Sequence, residues 1–241
     1  MRRLLTVLAL VALATTLLVV LPGEAEAYSF EVEKEYVEVQ IKKDGSIDIH
    51  YWITFVNYET MDGVDIGLPN RHYDEDSAWA KVRVGNVVYQ PDRIRRSPYV
   101  EIGLAVEFDY QTQTATTSTG GKRFTLEFFV NNPHMVYLNE LEEGTVGIRF
   151  RPTWFSDEFQ RGFTENLTTV VFLPKGFDGE RAYWLEGRPW DEFGYDVDKG
   201  RYFVRWTDLQ VSPNAIASGQ MDVGVAFDEK WVDRYYEHGF W

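Results

Sequence analysis

The chain contains no cysteine among its 241 residues. No disulfide can staple the fold, and no thiol can serve as nucleophile or metal ligand. Histidine is scarce as well: His50, His72, His134 and His238 are the 4 present, and none has the i, i+4 spacing of a helical zinc pair. Positive charge is short, with 24 Lys and Arg against 38 Asp and Glu and a formal net charge of -14. A nucleic-acid partner would need clustered Lys and Arg, so none is expected. The same deficit disfavours a broad electrostatic hold on anionic lipid. The densest basic group, Arg93, Arg95 and Arg96, lies between Pro91 and Pro98 and reads as a solvated turn. Beyond residue 21 there is no long apolar run, and no G-x-S-x-G motif of a serine hydrolase occurs.

The long apolar run that does exist opens the chain. Met1-Arg2-Arg3 is followed by apolar residues and Thr from Leu4 to Leu21, a Pro22-Gly23 break, and Ala25-Glu26-Ala27. That order is a secretory signal peptide over residues 1–27, with Tyr28 as the expected mature N-terminus. The competing reading is an uncleaved anchor, since the run is just long enough to span a bilayer. Either way the remainder is expected to be extracytoplasmic, secreted or held at the cell surface.

Aromatic residues are abundant, at 8 Trp, 14 Tyr and 16 Phe. With Val and Ile throughout, this is strand composition. Val37, Val39 and Ile41 alternate with polar residues, as do Ile47, Ile49, Tyr51, Ile53 and Phe55, on either side of Asp44-Gly45. Opposed residues in a hairpin share a face, so Ile41 should oppose Ile47 and Val39 should oppose Ile49. That register needs the three-residue loop Lys43-Asp44-Gly45, with Gly45 in the left-handed region. Gly85-Asn86 similarly opposes Val84 to Val87 and Val82 to Tyr89, with Gly85 first in a type II′ turn. A third hairpin joins Phe193, Tyr195 and Val197 to Tyr202, Val204 and Trp206. Opposing Val197 to Tyr202 there requires an even loop. Further strands are predicted at 64–68, 99–108, 123–130, 145–150, 167–173 and 221–227. The stretch 111–122 reads as a long hairpin loop, and short helical turns are predicted around 139–143 and 156–163.

The expected fold is therefore all-β: an antiparallel β-sandwich, or two packed sandwiches of the immunoglobulin-like kind. The expected layout is a signal peptide at 1–27, a sandwich domain at 28–163, a second sandwich or a continuation of the first at 164–230, and an aromatic tail at 231–241. That tail, rich in Trp and Tyr, is expected either to pack on the last sheet or to lie at a membrane interface.

Several segments resemble a known family. The hairpin from Tyr36 to Phe55 around Asp44-Gly45-Ser46, the segment Gly63 to Pro69, the Gly-led strand Gly121 to Val130 and the strand Asn166 to Pro174 are similar to the external region of prokaryotic DUF2207 predicted membrane proteins. The resemblance covers roughly residues 30 to 175, and more faintly extends to 230. It implies an external β region followed by membrane helices. That family has no defined activity, so the resemblance assigns no catalytic residues. This chain departs from the pattern in stopping at Trp241, so the expectation is either a shorter secreted relative or a protein whose membrane part is missing, with membrane association through that missing C-terminal segment or through an uncleaved signal.

For chemistry the candidates are few. Asp74-Glu75-Asp76, read as a loop with Asp62 and Asp65 close before it, and Asp196-Val197-Asp198 offer oxygen clusters for Ca²⁺. Asp74, Asp76, Asp196 and Asp198 are the metal candidates. Against them, the second fragment lacks the remaining acids of an EF-hand loop and fits a hairpin turn. His50, beside Asp48 and Trp52 on the polar face of its strand, reads as a cross-strand partner. Asn166-Leu167-Thr168 matches a glycosylation sequon that falls on a strand. Phe193, Tyr195, Val204 and Trp206 alternate as core, whereas Trp184 and Trp190 flank the turn Gly187-Arg188-Pro189 and are the candidate ligand-binding residues. The reading is a non-catalytic cell-surface binding or scaffolding module without cofactor, whose partner is an envelope protein or a glycan. The alternatives are a carbohydrate-binding protein using Trp184 and Trp190, and a secreted hydrolase with loop carboxylates.

Overall fold

The computed structural model describes residues 28–138 and 141–237. The expected signal peptide lies outside the described residues. Two layers of strands enclose one core. The first layer is an eight-stranded sheet built on the hairpin β1 (Phe30–Ile41) and β2 (Ile47–Asn57). On one side of that hairpin follow β8 (Lys122–Asn132), β4 (Asp74–Val84) and β5 (Val87–Tyr89). On the other side lie β11 (Gln160–Phe172), β14 (Arg201–Val211) and β13 (Glu192–Asp196). All neighbours are antiparallel except β1 and β11, which run parallel at the centre.

The second layer is two smaller sheets. One is four-stranded, in the order β12 (Tyr183–Trp184), β15 (Val223–Asp228), β10 (Thr145–Phe150) and β9 (Tyr137–Leu138). The other is three-stranded, in the order β3 (Gly63–Gly67), β7 (Gly103–Glu107) and β6 (Arg93–Arg96). A single apolar cluster joins the layers: Ile49, Tyr51, Phe124 and Phe128 of the large sheet belong with Ile66, Val106, Ile148 and Val225 of the small ones. Each such side chain withdrawn from water contributes roughly 1.5–3 kcal/mol. The fold is an all-β sandwich. Residues 163–166 lie inside β11, which is hydrogen-bonded on both sides, and β13 and β14 continue the same sheet.

Two hairpins follow the parity argument. Ile41 opposes Ile47 and Val39 opposes Ile49. Gly45 has φ 81°, and a Cβ there would collide with the carbonyl oxygen of Arg234. Val84 opposes Val87 and Val82 opposes Tyr89, with Gly85 at φ 57°. The third hairpin keeps an even loop but slips by two residues. Asp196 opposes Arg201, so residues 197–200 form the turn and Val197 projects into solvent. The Asp196 carboxylate accepts a bond from the Lys199 amide at 2.8 Å, which anchors this longer turn.

Elsewhere local polarity misleads. Residues 111–122 contain helix α1 (Tyr110–Thr116), not a plain loop; the Asp109 side chain accepts from the Thr112 amide at its N-terminus. The basic stretch at 93–96 is strand β6 rather than a turn, with Arg93 and Arg95 both paired to Glu107 across β7 and Arg96 paired to Glu75. Asp74-Glu75-Asp76 opens β4 instead of forming a loop. A second short helix, α2 (Pro213–Ala217), starts at Ser212, whose hydroxyl accepts from the Ala215 amide. Of the predicted tail, Trp231 is half-buried and Val232 buried against the core; Tyr236 stacks on His134 at 3.3 Å. Residues 238–241 lie outside the described residues.

A β-bulge in β1 places one residue against the pattern. The register with β2 shifts between Val32 and Lys34, so Glu35 opposes Ile53 and points into the core. Glu35 is fully buried with no side-chain partner for its carboxylate, and the Thr153 amide beside it donates to Tyr51 and only weakly offsets the burial. Burial holds its carboxyl well above the usual carboxylate range. Tyr51, raised in turn by its own burial and then by Glu35, accepts a bond from the Thr153 amide at 3.1 Å.

Candidate functional site

The two layers leave edge strands side by side. β13 ends the eight-stranded sheet and β12 ends the four-stranded sheet. Aromatic side chains bridge them. Trp184 of β12 meets Trp190 edge-on, with centroids 5.6 Å apart and planes at 83°. Trp190 in turn contacts Phe193 at 6.0 Å and Trp206 at 6.5 Å. Phe193 stacks on Tyr202 at 5.5 Å, and Tyr195 meets the same ring at 4.9 Å. Tyr202 continues through Phe177 to Trp231, each step at 5.8 Å.

The seam runs from core to surface. Trp206 is buried, Trp190 is half-buried, and Trp184 is 50% exposed. Phe193 and Tyr195 are 37% and 51% exposed, which corrects their expected place in the core. Their register is inward, opposite Val204 and Tyr202, but β13 is the last strand and nothing lies across from its outer half. The inward alternation was readable from sequence; the position of the strand at the sheet edge was not. The turn before β13 is fixed by Arg188, whose guanidinium reaches both Asp208 carboxylate oxygens at 2.9 Å, while the Trp206 indole N–H donates to the Arg188 carbonyl at 3.3 Å. The two candidate residues Trp184 and Trp190 meet at right angles, and of the pair Trp184 is exposed while Trp190 is half-buried, so Trp184 alone offers an open face.

The remaining candidates are dispersed. Asp74 accepts from the Asp76 amide at 3.2 Å, and Asp196 and Asp198 belong to the β13–β14 turn. Among the described residues no three His, Asp or Glu side chains converge as a metal ion would need. His50 sits on the outer face of the large sheet, 3.0 Å from Glu127 and tilted against Trp52 with centroids 3.7 Å apart. Burial lowers its pKa against the opposing pull of Glu127. Asn166 lies mid-strand in β11 and accepts from the Thr168 hydroxyl at 2.9 Å. Among the described residues no helix is long and apolar enough to cross a membrane.

One concave site was not singled out by sequence as a pocket. A cavity of about 630 Å³ lies where the chain enters β1, lined by Tyr28, Tyr99, Trp154 and Phe159 with Asp62, Asp65 and Asp157. The Tyr28 hydroxyl donates to Asp62 at 2.7 Å, and burial together with that carboxylate pushes the phenol above its ordinary range. Asp65 is raised by burial first, and by the neighbouring Asp62. The proximity of Asp62 and Asp65 in sequence was the available signal. Their aromatic surroundings come from four separate segments.

No family model matches the chain, and no curated protein does. Among solved structures it is similar to an M1 zinc metallopeptidase from Deinococcus radiodurans, at 11% identity and TM-score 0.46, over 83% of this chain and 42% of that one. A mutant two-domain M1 zinc metallopeptidase bound to L-arginine is similar at 10% identity and TM-score 0.46, with the same coverage. The chain spans less than half the length of either protein.

Proposed function

We propose that the chain is a non-catalytic, extracytoplasmic binding module that recognises an envelope partner through its aromatic edge. The observation that supports this reading most is the exposure of Trp184, Phe193 and Tyr195 on two neighbouring edge strands. Large aromatic side chains left open at a sheet edge are costly unless covered by a partner. Edge strands recognise extended segments by strand addition, with side-chain pockets giving selectivity. On this reading the signal-like residues 1–27 carry the module out of the cytoplasm, and a DUF2207-like organisation makes it the outer part of an anchored protein.

The test is retention of the purified protein on envelope fractions, comparing wild type with Trp184→Ala and Tyr195→Ala. Retention should fall at least severalfold in both variants while thermal melting is unchanged. Equal retention would end the aromatic-edge reading. A glycan partner is the second reading, favoured by the open face of Trp184. It predicts that soluble oligosaccharide competes for the same retention and that Trp184→Ala loses more than Tyr195→Ala.

A further inference from the structure

The cavity at the start of β1 has a floor and a rim of different chemistry. Its floor is Phe30, Phe55, Met61, Val64 and Phe155, none more than 9% exposed. Phe155 meets Phe30 and Phe55 edge-on at 5.5 and 5.4 Å, which fixes the rings. Above them stand Tyr28 and Phe159, edge to face at 5.7 Å, with Trp154 and the 87% exposed Tyr99 at the mouth. The volume suits a small ligand.

The charge of this lining is one-sided. It carries Asp62, Asp65 and Asp157 and no Lys, Arg or His. Among the described residues, none of the three is ion-paired to a basic side chain, although this chain pairs most of its arginines elsewhere. Asp62 is held by the Tyr28 hydroxyl and Asp157 by the Asn214 amide at 2.9 Å, both neutral donors. The Asp65 carboxylate has the Ser97 side chain as a neutral partner, while its Oδ1 is buried without one. Arg95, which lines an adjoining hollow together with Asp62 and Asp65, is engaged by Glu107. Aromatic faces present negative potential to a cation, and carboxylates add to it in a partly dewatered space. An anion or a neutral polar ligand would meet this lining at a disadvantage.

We propose that this cavity binds a small organic cation, an ammonium head carried on an apolar or aromatic body. The body lies on the phenylalanine floor, and the head faces the aspartates and the rings of Tyr28, Tyr99 and Trp154. The cavity shares no lining residue with the aromatic edge, so the two sites stand or fall separately. Because bound cation favours ionised Asp65, affinity should rise with pH through the titration of that carboxyl.

The experiment is calorimetric titration of the purified protein with phenethylamine, tetramethylammonium and the neutral 2-phenylethanol, with Trp fluorescence as a second readout. Phenethylamine should saturate one site, and 2-phenylethanol should bind at least about tenfold more weakly. Asp65→Asn should lower phenethylamine affinity about tenfold, and Asp74→Asn, outside the cavity, should leave it unchanged. Tyr99 is too exposed to matter for folding, so Tyr99→Ala should weaken binding with the melting temperature preserved. The lysine derivative Nα-acetyl-lysine-methylamide separates a peptide side chain from a free amine as the natural source; binding of either supports the proposal. Equal affinity for amine and alcohol, indifference to Asp65→Asn, or no saturable binding of any of these cations in the millimolar range would overturn it.

Discussion

On the inner face of the eight-stranded sheet, Ile49, Tyr51, Phe124 and Phe128 are shielded from water and meet the second layer. On its outer face, one residue along the same strands, His50, Trp52, Glu127 and Phe129 stay half-exposed and satisfy one another. His50 reaches Glu127 at 3.0 Å, and Trp79 stacks on Phe129 at 5.6 Å. Aromatic content alone therefore does not separate core from surface in this protein. What separates them is whether a second layer lies opposite, and on the outer face cross-strand pairs take over its role at roughly 0.2–1 kcal/mol each.

The largest test of this contrast is a matched pair of truncations. Phe128→Ala on the inner face should cost about 3–5 kcal/mol by denaturant unfolding. Trp79→Ala, one strand over on the outer face, should cost about 1 kcal/mol or less. Similar losses would mean that the outer face is covered after all. Next in size is Gly45→Val, which combines a left-handed backbone with a collision against the Arg234 carbonyl. A loss of about 2–3 kcal/mol, together with faster amide exchange at Asp233, whose N–H donates to Lys43, would link this turn to the C-terminal segment.

Glu35 gives the smallest effect at low pH and the most selective one. Its folded pKa is raised above the ordinary 4.5, so the unfolded state holds fewer protons once pH exceeds that value. Wild-type stability is therefore complete below about pH 4 and falls as pH rises towards the folded pKa. Glu35→Gln removes that titration. The variant should match wild type near pH 4 and exceed it increasingly at higher pH, by up to about 1.4 kcal/mol per pH unit. A difference that stays flat with pH would show that Glu35 does not titrate with unfolding.

Much of the fold was legible because period-two alternation is strong where one face is buried. β2 shows it without interruption, and parity alone then set two hairpin registers. The slip in the third hairpin has a physical cause: a side-chain bond from Asp196 to the turn outweighs the burial of Val197 at an open edge. Strand β6 was hidden because its arginines are neutralised by Glu107, a partner 12 or 14 residues further on. Helix α1 was hidden because it is built from Gln and Thr, with only its Asp109 cap as a signal. The bulge that turns Glu35 inward left no trace in the pattern except the break in alternation between Val32 and Tyr36. Of the candidate site, the sequence marks Trp184 and Trp190 as flanking one turn but not their contact, and the cavity needs the joining of segments far apart in sequence.

The parallel pairing of β1 with β11 sets the order in which this molecule can be assembled. Phe30 is matched to Gln160 and Gln40 to Phe172, so the centre of the large sheet closes only after the intervening chain has been delivered. Local hairpins such as β1–β2 can form on microsecond timescales, whereas closure of so long a loop is slow. A chain emerging from its N-terminus would thus wait with one edge of β1 unpaired until β11 arrives. With no cysteine to oxidise, that wait is ended by strand pairing alone.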